Sequence, residues 1–138
     1  MKRAHHNLEA WQRALKLVKT IYSATASFPK SELYGLTSQM RRAAVSIPSN
    51  IAEGAARETP AEFLRFLTIA RGSLSELETQ ILIAKDLGYL DDCDALMNHL
   101  DRVSAPLSGL IRSFKARAKK VREDLPAYDN EQEWDPNS

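Results

Sequence analysis

One cysteine, five glycines and a 7% aromatic share leave this 138-residue chain short of several kinds of chemistry. Cys93 has no second cysteine for an internal disulfide or for zinc-ligand spacing, which fits a reducing compartment. No sequence feature supplies it with a base, so it is a poor candidate nucleophile. The glycines build no phosphate-cradling loop, and Gly54 and Gly72 stand alone in helical context. No apolar run approaches the ~18 residues that a membrane span needs. The first residues, MKRAHHNLEAWQR, are basic without an apolar stretch behind them and do not read as a signal peptide. His5-His6 precede the first helix, where an exposed, flexible pair is expected, and His99 is isolated. The expectation is a soluble cytoplasmic protein with no membrane association, metal, cofactor or catalytic residues.

Good helix formers are abundant, and their periodicity predicts an all-α chain. In about 8–27, Leu8, Trp11, Leu15, Val18 and Tyr22 form one apolar stripe. Ala14, Leu17, Ile21 and Ala24 form another, so a wide buried face is expected. Phe28-Pro29 should end this helix. Thr59-Pro60-Ala61-Glu62 reads as a capping box. Behind it Phe63, Leu67, Ala70, Leu74, Leu77, Ile81 and Ala84 hold a heptad, with Gly88 as a left-handed stop. A fourth helix starts near Asp91-Asp92 and continues through Leu96, Leu100, Val103, Leu107, Leu110 and Phe114, bent at Pro106. Short connections favour antiparallel neighbours, hence an up-down-up-down four-helix bundle over residues 1–122. Residues 123–138 lack periodicity and read as a flexible, acidic C-terminal tail.

The second helix, about 36–56, contains the unusual stretch RRAAVSIPSNIAEGAAR. Pro48 removes one hydrogen bond, to the Ala44 carbonyl, and predicts a kink; two short helices are the rival. Beside the apolar face of Leu36, Met40, Ala43, Ile47 and Ile51 runs a polar seam of Gln39, Arg42, Ser46, Ser49 and Glu53. A tight turn near 57–59 pairs positions of the second and third helices whose numbers sum to about 118. Glu53 should then approach Arg65, Arg42 approach Glu76, and Ser46 approach Gly72. The seam is expected to face protein, within the chain or across subunits, and to set register, with a solvated surface stripe as the alternative.

The net charge of +1 conceals segregation. Residues 1–57 carry nine Lys/Arg against three Asp/Glu, and 58–105 carry four against nine. Residues 106–122 hold six basic residues and no acid, whereas 123–138 hold six acids and no base. Arg112, Lys115, Lys119 and Arg122 share one helical stripe, and Arg13 and Lys16 extend the first helix's polar side. The expected bundle brings both groups to one end, near Arg57, as a surface for RNA or DNA backbone. Such a block equally serves as a solvated helix end that complements the helix dipole. The acidic tail begins where this basic helix ends and should compete for the same patch.

YGLTSQMRRAAVSIPSNIAEGAAR, followed by EFLRFLTIARGSLSELETQILIAKDLGYL, closely resembles the four-helix-bundle family associated with intervening sequences in large-subunit ribosomal RNA genes. AWQRALKLVKTIYSATASFP is similar to that family's first helix. The resemblance covers about residues 8–90 strongly, the fourth helix loosely and the acidic tail not at all. It implies a barrel-like homopentamer. A relative, the accessory variability protein of diversity-generating retroelements, implies binding of nucleic acid and of a reverse transcriptase. No catalytic residues carry over from the family. The competing expectation is a protein-interaction scaffold without nucleic-acid binding.

Overall fold

Thr59 places its hydroxyl to accept from the Glu62 backbone N–H at 3.2 Å, and Pro60 occupies the first helical position. That start launches the 27-residue α3, Pro60–Asp86. Its heptad residues are all buried, which fixes α3 as the spine of the core. Gly88, with φ of +79°, follows the helix end as the sequence expected. The computed structural model describes residues 3–125.

Three further helices pack against one another around this spine: α1 (Glu9–Thr25), α2 (Leu36–Ala55) and α4 (Asp94–Asp124). Short 3-10 turns at Ala4–Asn7 and Lys30–Glu32 precede α1 and α2. Among the described residues there is no strand, so the chain is all-α. Each helix packs on its sequence neighbours, and α4 also returns to α1. Ser46 meets Ser73 while position 54 meets Phe63, so α2 and α3 run in opposite directions. Phe63 stacks edge-on with Phe114, and Thr59–Leu64 border Ala118–Arg122, which makes α3 and α4 antiparallel as well. Leu17, Ile21, Met40, Ile47, Ile51, Leu67, Leu77, Ile81, Val103 and Leu107 are fully buried and draw on all four helices. Each such Leu or Ile contributes about 1.5–3 kcal/mol of burial.

Several elements differ from the sequence reading. On α1 the second stripe is the buried one; Leu15 and Tyr22 of the first stripe are exposed. Ala10, Ala14, Leu17 and Ile21 centre the buried arc, and their small members let neighbouring helices approach closely. α4 begins at Asp94, with Cys93 as its buried N-cap residue; Asp92 accepts from the Asp94 N–H at 2.9 Å. Its buried seam moves from Leu110 and Phe114 to Ile111 and Ala118. α4 runs through Glu123 and Asp124, so the first two residues of the expected tail are helical; positions 126–138 lie outside the described residues. α2 is one continuous helix with Pro48 buried inside it, which excludes the two-helix alternative. No described helix is long and apolar enough to cross a membrane.

Candidate nucleic-acid interface

α4 has 31 residues and α1 only 17, so they span ~46 and ~26 Å and cannot be level at both ends. Leu8, at the start of α1, lies level with Ala55, Phe63 and Phe114 around one cleft. The last ten residues of α4 therefore continue ~15 Å past the first turn of α1. Lys115, Lys119 and Arg122 lie on this overhang, and Arg112 lies one turn before them. All four are exposed. Lys119 has Glu123 at 3.9 Å on its own helix, a solvated pair that barely neutralises it. Arg117 lays its guanidinium over the Phe114 ring at 4.6 Å. Arg57 lines the same end cleft as Phe114, so the turn between α2 and α3 adds positive charge at this end.

Arg13 and Lys16 do not join that patch, contrary to the expected convergence. Arg13 Nη1 donates to the Arg102 carbonyl at 3.1 Å, and both residues line a cleft with Lys16 and His99. From Arg102 to Lys115 is ~20 Å along α4 and ~140° around it. The sequence-based reading placed helix ends side by side and so ignored the unequal helix lengths.

The polar seam is partly realised. Ser46 and Ser73 hydroxyls are 2.8 Å apart across α2 and α3. Asn50 donates to the Ser46 carbonyl at 2.8 Å and to its hydroxyl at 2.9 Å, bracing the turn that contains Pro48. The expected ion pairs do not form as expected. Glu53 pairs with Arg57 at 3.2 Å and not with Arg65; Glu76 accepts from Gln80 at 3.1 Å while Arg42 is exposed. Gln80 stands on the same helix as Glu76, and Arg57 lies in the turn just past the α2 end that carries Glu53, so neither contact needs a reach across helices. Ser49 and Glu53 are exposed on the single chain, so only Ser46 of that stripe meets protein within it. Gly72 likewise has open space around it and is not the close contact; that role belongs to Gly54.

A family model described as 23S rRNA-intervening sequence protein matches residues 6–109. The chain belongs to that family. The match takes in α1, α2, α3 and the first half of α4, further than the resemblance reached in the sequence alone. The family takes its name from intervening sequences of 23S ribosomal RNA. No curated protein matches the chain.

In this intervening-sequence protein the basic overhang lies beyond the matched residues, so the family match does not by itself assign it a role. Two features escaped the sequence reading. His5 and His6 are half-buried and stack against Trp11, with ring centroids 4.9 and 5.2 Å away. His6 Nδ1 also accepts from the Arg3 N–H at 3.1 Å, which fixes the turn that was expected to be loose. Partial desolvation, then the charges of His6 and Arg3, lower the His5 pKa from the ordinary histidine value. The other is the grouping of His99 with Arg13, Lys16 and Arg102, visible only once the α1–α4 register is known. No group of three or more His, Cys, Asp or Glu able to hold a metal occurs among the described residues.

Proposed function

We propose that this chain is a non-enzymatic, cytoplasmic, oligomeric helical bundle that binds RNA or DNA backbone through the basic overhang of α4. The observation that carries this reading is the exposed stripe of Arg112, Lys115, Lys119 and Arg122 on an α4 segment with no acidic residue between 106 and 122. Cations so placed neutralise phosphates and release counterions, without the base-reading contacts that give sequence specificity. Membership of a family named for a ribosomal RNA element makes RNA the first ligand to test.

Four phosphate contacts give a log–log salt slope of about −3 to −4, depending on strand form. Lys115→Glu with Lys119→Glu should flatten that slope and abolish binding at low salt. Removing residues 126–138, with four carboxylates and no cation, should tighten it. Unchanged affinity in a double variant that still folds and assembles would reduce the stripe to a solvated helix end.

A scaffold reading rests on a different surface. Tyr22, Leu33 and Val45 are exposed around a groove of about 480 Å³ that also takes in Arg41, Arg42 and Ser46. Tyr34 beside it is 94% exposed. Ile69 and Ile83 are exposed along α3. These apolar faces, with Ser49 and Glu53, suit contact with further copies, and the family resemblance points to a cyclic pentamer. A reverse transcriptase or other protein partner belongs to this second reading.

A further inference from the structure

The α1–α4 face carries a second concentration of positive charge, separate from the overhang. Arg13 and Lys16 stand about one turn apart on α1, and His99 and Arg102 about one turn apart on α4. All four line one open cleft of about 270 Å³. The register is antiparallel, with 13 across from 102 and 16 across from 99. Arg13 is locked in place. Glu9 on the preceding turn pairs with it, and its Nη1 bonds the Arg102 carbonyl at 3.1 Å. Lys16 and Arg102 are exposed at the rim, and His99 is half-buried between the helices.

No carboxylate lines this cleft. Arg13 is already paired with Glu9 and bonded to the Arg102 carbonyl, so the uncompensated charge of the cleft is that of Lys16 and Arg102 beside the His99 imidazole, and an anion there relieves their mutual repulsion. Arginine presents a planar fork that matches the oxygens of a phosphate, and lysine adds a compact point charge. The geometry points to a phosphate-group site in the α1–α4 cleft, with Arg13 as its fixed base and Lys16, Arg102 and His99 as its rim. The phosphate belongs either to a polynucleotide strand, which extends the reading proposed above, or to a small phosphorylated molecule, which does not depend on it.

The test uses the full chain, with pyrophosphate as probe, followed by calorimetry and by the ring signals of His99. A saturable shift at His99 is expected. Lys16→Glu with Arg102→Glu should weaken pyrophosphate by about tenfold or more, as loss of charge-assisted bonds implies. Lys115→Glu with Lys119→Glu should leave it within about twofold, because distant sites act independently. If the first double variant unfolds, Lys16→Gln with Arg102→Gln replaces it. A single-stranded RNA that displaces pyrophosphate identifies the backbone as the source; an RNA that does not compete identifies a small phosphate, and both uphold the site. Absence of a saturable His99 shift up to about 10 mM, or equal affinity in the cleft variants, overturns it. RNA binding lost only on reversal of Lys115 and Lys119 leaves the overhang reading standing alone, so the two failures are distinct.

Discussion

At Gly54 the second helix comes close enough to the third that a single methyl group matters. A Cβ there would lie 2.7 Å from the Phe63 ring and 2.7 Å from Phe66 Cβ. Phe63 cannot swing away, because it is buried and packed on Phe114 at 4.3 Å between centroids. Gly54→Ala should therefore destabilise the fold by about 1–3 kcal/mol through overpacking, despite alanine's better helix propensity. Gly72 has nothing within 4 Å of the corresponding position, so Gly72→Ala should stabilise by up to about 1 kcal/mol. Urea unfolding of both variants checks the pair, and midpoints moving in the same direction would refute the assignment. Gln80 shows a different economy: its side-chain amide nitrogen bonds Glu76, while its buried Oε1 has no partner among the described residues. Leaving such an acceptor unpaired costs about 1–3 kcal/mol in a chain taken alone.

Among the elements, α3 was the most legible from sequence because three independent signals coincide there. Thr59 and Pro60 mark its start, a heptad marks its buried side and Gly88 marks its stop. Thr59→Ala should cost about 1 kcal/mol by removing the bond to the Glu62 N–H, while Thr59→Ser should keep most of it. Thermal melting of the two variants separates cap loss from a general effect of substitution. α1 was harder, since two adjacent apolar stripes leave the centre of burial open until neighbours are placed. The α2–α3 pairing rule of 118 came within one position of the observed Ser46–Ser73 contact, whose numbers sum to 119. A short turn makes that register almost inevitable. The α1–α4 register is different. Periodicity reports angle around a helix axis, not offset along it, and no short connection ties α1 to α4. That is why the sequence alone sets Arg13 and Lys16 level with the end of α4 when they lie across from Arg102 and His99, and why His99 looks isolated in it.

For the whole molecule, the exposed apolar residues on α1, α2 and α3 lie outside the shared core and suit contact with further copies, while the proposed closed pentamer comes from the family resemblance. Light scattering at micromolar concentration should return a mass near five times the single chain's 15.5 kDa. A monomer mass would remove both the pentamer and the subunit role assigned to Ser49 and Glu53. The unequal helix lengths have another effect. The end of α4 has left α1 behind, and its apolar residues Val121 and Leu125 are exposed. Opening free energy should therefore fall along α4 from Val103 and Leu107 toward Arg122, and amide exchange should quicken in the same direction. The charged turns can fray and re-form while the core stays shut. Under the proposed reading, sequence changes at the overhang would tune strand binding at little expense to the bundle, so binding and fold would be separately adjustable along a single helix.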